Sequence, residues 1–307
     1  MRRLPLLAAA FAALAAGALG ARDASAFCRS TTCDSPEIFA QCDMVPAGCE
    51  PLKWRRTCIG WSLHEAGSKK VPFDVAEVVL EESFQTWQNS FCGPGIQLQY
   101  LGRVRCSQVE YNSLSGNTNV IVFRDDVWPH EGADHNIALT TVTFDVKTGE
   151  IYDADIEVNT AQFDLTWDST TVNYDFLSVM THEVGHFLGL SHSSNAEATM
   201  YRHYDAGSTA FRDLHDDDDK GICTAYPPFE TLPPPCNPIP RHGFSTDCSA
   251  SQTEGQCSAA GAVEGSPPRP PSGFTAFLVA GALAALGRRA SIRARSAARP
   301  PSGSPRS

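Results

Sequence analysis

Residues 181–193 read THEVGHFLGLSHS, and the interpretation of the whole chain turns on this stretch. His182 and His186 are one helical turn apart, so on a helix both imidazoles project from one face. Gly189 can take a positive φ at the helix end without a Cβ clash, which turns the chain back and delivers His192 as a third ligand. All five fixed positions of the HExxHxxGxxH spacing are present. Three protein ligands around one tetrahedral zinc leave the fourth position open to water, as catalytic zinc sites do. Glu183 follows the first ligand but lies off the ligand line, where its carboxylate can hold and deprotonate a water. The competing readings are a histidine cluster without metal and a metal kept for stability alone. The glutamate argues against both.

Outward from this segment, Asn173 is placed to cap the helix, and Leu177, Met180, Val184, Phe187 and Leu188 give it an apolar stripe facing a core. A last helix is expected over residues 215–226, with residues 216–219 putting four aspartates in its first turn, where the helix dipole favours negative charge. Residues 216–220 also spell an enteropeptidase-type cleavage site, read here as coincidence. Upstream, Ile59, Trp61 and Leu63 alternate as in a half-buried strand. Asp74 and Glu77 have capping-box spacing before a helix over 75–89, whose Ala76, Leu80, Phe84 and Trp87 form a core stripe. Strands are expected at 96–101, 120–123, 138–144 and 154–158.

The chain has 307 residues and is 42% apolar, enough for a real core. Arg2 and Arg3, an apolar run over residues 4–19 and Ala24-Ser25-Ala26 predict an export signal over residues 1–26. None of the 11 cysteines falls in that signal, so an oxidising compartment and several disulfides are expected. The odd count leaves Cys257 as the candidate without an internal partner. Residues 27–52 hold Cys28, Cys33, Cys42 and Cys49 and read as a disulfide-stapled lead-in to a domain over 53–227. Residues 228–272, rich in Pro, Ser, Gly and Cys, read as a linker with a Cys236–Cys248 loop. The net charge of −11 comprises +2 in residues 1–26 and +7 in residues 267–307, leaving −20 for the body. Such a surface repels phosphate backbones, so nucleic acid is not expected as a partner.

With the motif and the strand-helix order together, residues 53–227 resemble the matrixins, the matrix metalloproteinase family within the metzincins. Ser193 directly after the third histidine is the matrixin choice, and Ala198-Thr199-Met200-Tyr201 stands where the family has its Met-turn, with Met200 as an apolar floor beneath the metal. The resemblance implies an α+β fold: a twisted five-stranded mixed sheet packed on two helices, then a Met-turn and a C-terminal helix. It implies one catalytic zinc and an extended protein or peptide substrate that adds as a strand to the sheet edge at residues 137–140, with Ala138 and Leu139 in the pocket region. Tyr204 matches the wall of the primed-side pocket, whereas Arg202 replaces an expected proline. Calcium would draw on Asp145, Glu150, Asp153 and Asp155. His130, Asp134 and His135 lie where the family has structural-zinc ligands but lack their spacing, and Phe91-Cys92-Gly93-Pro94 only echoes a cysteine switch.

Residues 274–286 are apolar and are followed by Arg288, Arg289, Arg293 and Arg295. Thirteen residues are too few for an ordinary span, and the layout of residues 273–307 resembles the C-terminal sorting tails of exported bacterial proteins. An amphipathic or disordered tail without sorting role is the alternative reading. Together these features predict a monomeric zinc endopeptidase, secreted or at the cell surface, that touches membrane only through its tail. Two other readings are a non-catalytic adhesion protein on the same scaffold and a narrow maturation protease.

Overall fold

The computed structural model describes residues 27–33, 42, 45–130, 136–248 and 291–295. The predicted export signal, Cys257 and the apolar part of the tail lie outside these residues. In chain order the elements are β1 (Cys28–Arg29), β2 (Cys58–His64), α1 (Phe73–Gln88), β3 (Gln97–Val104), β4 (Val120–Phe123), β5 (Ala138–Phe144) and β6 (Ile151–Val158). There follow β7 (Leu165–Thr166), β8 (Tyr174–Asp175), α2 (Phe176–Phe187), β9 (Leu190–Ser191), a 3-10 turn (Ala210–Arg212), α3 (Asp216–Ala225) and β10 (Ser291–Arg295).

Strands β3, β2, β4 and β6 run parallel, and β5 closes the set antiparallel to β6, giving the expected five-stranded mixed sheet of an α+β fold. Parallel strands are normally covered on both faces, and all four residues of β4 are buried. The same holds for β2, which is buried along nearly its whole length instead of half-buried as its alternation suggested. One face packs on α1 and α2: Trp61 stacks between Phe84 (4.4 Å) and Tyr100 (4.5 Å), and Phe84 meets Phe187 edge-on at 5.2 Å. The Trp87 indole donates to the Thr181 carbonyl at 2.7 Å, tying α1 to the middle of α2.

The opposite face is covered by residues 236–248, read from the sequence as linker. Arg105 N–H donates to the Thr246 carbonyl (2.8 Å), Asn117 N–H to the Gly243 carbonyl (2.9 Å) and Ser245 N–H to the Asn117 carbonyl (3.0 Å). Phe244 packs against Val104, Val120 and Val122. Gly60 is needed beneath this strap, because a Cβ there would lie 2.4 Å from the Leu101 side chain and 2.8 Å from the Pro238 carbonyl. The expected Cys236–Cys248 loop does not form; Cys236 bonds Cys58 and Cys248 bonds Cys106. A short polar segment cannot hold itself on a sheet, so covalent bonds to the sheet do so. The other bridges are Cys28–Cys42, Cys33–Cys49 and Cys92–Cys223.

Three local expectations are corrected. Helix α1 has Pro72 at its cap, which offers no side-chain acceptor, and Asp74 lies inside the first turn; Glu77 is instead taken by the Tyr100 hydroxyl (2.7 Å) and the Arg103 guanidinium (2.9 Å). Helix α2 is capped by Asp175, which accepts from Ser178 N–H at 2.9 Å, and not by Asn173, which lies before the short strand β8. The outer edge of β5 is not bare: β10 pairs antiparallel along it as a sixth strand.

The Cys58–Cys236 bridge closes a separation of 178 residues, so its removal frees much of the unfolded chain. Replacing both cysteines by serine should lower the unfolding free energy by about 2–5 kcal/mol, read as an earlier midpoint in guanidinium denaturation.

Candidate metal centre

Helix α2 presents His182, Glu183 and His186 from its buried face. The helix ends at Leu188, and Gly189 follows with φ +86°. A Cβ at this position would lie 2.5 Å from the Leu52 carbonyl oxygen, so glycine is required both for the turn and for the close approach. The reversed chain forms β9, which is held by pairing with β1, and Ser30 N–H donates to the Gly189 carbonyl at 3.0 Å. His192 then returns to the helix face, with its Nε2 at 3.2 Å from Nε2 of His186.

The ligand atoms of His182, His186 and His192 lie within 4.8 Å of one another, and all three residues are buried. Each of the helical histidines is fixed through its other nitrogen: His182 Nδ1 bonds the Thr199 carbonyl at 2.6 Å and His186 Nδ1 the Leu190 carbonyl at 2.9 Å. A carbonyl only accepts, so both Nδ1 atoms carry hydrogen and both Nε2 lone pairs face the centre. Among the described residues, none gives His182 Nε2 a hydrogen bond although it is buried. Burial pulls His182 down to about 4 and His186 to about 3, and holds His192 well below the usual histidine range. Three neutral imidazoles converging on one point are the donor set a zinc or similar ion takes, and the residues present fit that group.

Beside the triad, Glu183 is buried and its Oε2 accepts from the Thr140 hydroxyl at 2.6 Å. Thr140 lies in β5 next to Ala138 and Leu139, both buried, so the strand edge and the carboxylate are held together. Met200 is 2% exposed and packs beneath α2. Gly185, a variable position of the motif, makes room for it: a Cβ there would lie 2.2 Å from Met200 Sδ and 2.8 Å from Trp87. Tyr204 is buried, receives the Asp175 backbone N–H on its hydroxyl (2.9 Å) and donates that hydroxyl to the Ser208 carbonyl. With Ser178, Val179, His182, Tyr201, Arg202 and Phe211 it lines a recess of only about 10 Å³ beside the triad.

The acidic run of α3 does more than complement a helix dipole. Asp218 is buried, and its carboxylate accepts from the backbone N–H groups of Thr199 (2.7 Å), Met200 (2.9 Å) and His215 (3.0 Å), which fixes the turn carrying Met200. Burial pushes this carboxyl up to about 6. Asp217 accepts from the Ser193 hydroxyl at 2.6 Å. Arg212 reaches the Asp175 carboxylate at 2.5 Å and 2.9 Å, joining the start of α2 to the loop that ends the recess. From the sequence, Thr140 reads only as the end of the substrate edge, and Gly185, Phe211, Arg212, Asp217 and Asp218 are not singled out as parts of this site. Only the acidic run left a signal, and its local explanation as helix-start charge hid the tertiary one.

The acidic residues expected to take calcium do not converge. Asp145 closes its own turn, accepting from Lys147 and Thr148 N–H groups and the Tyr152 hydroxyl. Asp153 and Asp155 are buried in β6, where burial pushes both carboxyls up, Asp153 to about 7. Glu150 instead faces Arg241 at 3.9 Å. His130 bonds Glu157 at 2.7 Å, whereas Asp134 and His135 lie outside the described residues. Among the described residues, the three histidines are the group able to hold a metal.

The Matrixin family model matches residues 53–227. Human neutrophil collagenase is 28% identical over 194 residues, 61% of this chain and 38% of its own length. Human matrix metalloproteinase-16 is 32% identical over 194 residues, 61% of this chain and 30% of its own. Human matrilysin is 35% identical over 102 residues, 33% of this chain and 35% of its own. The chain thus spans about a third of the length of these relatives. The family match contains the whole sheet built by β2 to β6, the histidine triad and the Met200 turn, and covers more than half of the sequence, so the chain belongs to the matrixin family.

Proposed function

We propose that the protein is an exported zinc endopeptidase that hydrolyses internal peptide bonds of extended protein segments. His182, His186 and His192 hold the metal, and Glu183 is the general base. The observation that carries this reading is the convergence of three neutral imidazoles beside a buried carboxylate. Membership of a metallopeptidase family supports it.

Zinc, when bound, supplies a Lewis acid for the scissile carbonyl and lowers the pKa of the attacking water. Glu183 takes the proton of that water and returns it to the leaving amine nitrogen. Thr140 orients the carboxylate through its bond to Oε2. The substrate backbone adds antiparallel to the outer edge of β5 at Ala138 and Leu139. The side chain following the cleaved bond enters the recess between His182, Tyr204 and Phe211, whose small volume selects small residues. Met200 serves as an apolar floor and does not touch the substrate. The five disulfides among the described residues agree with an oxidising compartment. The domain acts as a monomer, and the C-terminal segment alone directs it to a cell surface. Among the described residues no helix is long and apolar enough to cross a membrane.

Glu183→Gln should reduce casein cleavage by about 10²–10⁴-fold while zinc content, measured by atomic absorption, stays near that of the parent; parental cleavage by the variant would refute the assigned role. Phe211→Ala should open the recess and raise kcat/KM for peptides with Leu after the cleaved bond relative to Ala by roughly tenfold, as measured by profiling matched fluorogenic peptides.

A further inference from the structure

Strand β10 lies along β5 in antiparallel register, with Ser291 opposite Thr143, Ile292 opposite Val142, Arg293 opposite Thr141, Ala294 opposite Thr140 and Arg295 opposite Leu139. The other edge of β5 is taken by β6. The tail therefore occupies the one edge left for an added strand, and a strand edge offers a single row of outward N–H and C=O groups. Its position along β5 is as telling as the pairing. Thr140, opposite Ala294, is the residue whose hydroxyl bonds the Glu183 carboxylate at 2.6 Å. The segment thus crosses at the level of the general base, in the polarity assigned above to substrate.

We propose that Ser291–Arg295 is an autoinhibitory strand, a substrate mimic in cis that keeps the β5 edge closed until it is displaced. This rests on the reading of β5 as the substrate edge. Two features of the sequence favour return of the tail to the body. Residues 267–307 carry +7 and the body −20, an attraction over the whole surface. Residues 249–290 link Cys248 to β10 by 42 residues of covalent chain, so the strand is tethered to the body in cis. Such tethering makes the pairing intramolecular, so a free substrate competes with a segment that cannot diffuse away.

The test uses the full chain with Arg293→Pro and Ala294→Pro together. Adjacent residues of an antiparallel strand point their N–H groups to opposite edges, so one of the two prolines removes a bond to β5. The double variant should show about tenfold faster hydrogen exchange at the outward amides of residues 139–143. It should also show about tenfold higher kcat/KM on a peptide substrate, and a synthetic peptide of residues 287–299 should inhibit it competitively. Unchanged exchange and unchanged kcat/KM in an active chain would overturn the proposal while leaving the peptidase reading standing. A chain inert on every substrate, whose β5 exchange still rises on substitution, would sink the peptidase reading and keep the strand contact.

Discussion

Helix α2 has to stop at Leu188 and send the chain back past its own last turn, because His192 must meet His186. A continuing helix would carry the six residues from His186 about 9 Å away along the axis. The reversal depends on Gly189, whose φ of +86° suits a residue without Cβ and whose place against the Leu52 carbonyl leaves no room for one. The lead-in segment then secures the returning strand through β1 and Ser30. A residue far from the motif in sequence therefore shares in setting the distance between two imidazoles, and the stapled lead-in is part of how the site is built.

The second constraint is charge. The body is strongly acidic, yet several carboxylates closest to the site are buried and matched to fixed donors. Asp175 meets Ser178 N–H and Arg212, Asp217 meets Ser193, and Asp218 meets three backbone N–H groups. A buried carboxylate without such partners would be strongly destabilising. With them it fixes loop geometry, since each oxygen demands its donors in particular places. The turn beneath the triad and the loop flanking the recess are held in this way and not by regular secondary structure.

What could be read from the sequence follows the range of the interactions involved. The convergence of His182 and His186 is a property of helical spacing, and Gly189 announces the turn that brings His192 back. The bounds of β4 and β5 agree with the expected strands because β4 is an apolar run and β5 a stretch of apolar and β-branched residues, each closed by polar breaks. Long-range pairings left no such mark. Nothing near Cys236 indicates that it reaches Cys58, and nothing in residues 236–248 indicates that they roof a sheet face. Asp175 displaced Asn173 as the helix cap because Arg212, far along the chain, holds its carboxylate in place. The acidic residues near β6 look like a cation site in one dimension, whereas in three Asp153 and Asp155 are turned into the sheet.

The strap has a mechanical aspect. Once β10 has left the β5 edge, a pull applied to the chain beyond residue 248 enters the domain at Cys248 and passes at once through a covalent bond to Cys106, just past the end of β3. Because Cys236 is also bonded to the sheet, at Cys58, the segment between the two cysteines is closed at both ends and cannot be peeled off residue by residue. Load on the C-terminal side is therefore carried into the sheet as a whole, and the helix bearing the histidines lies outside the direct line of force.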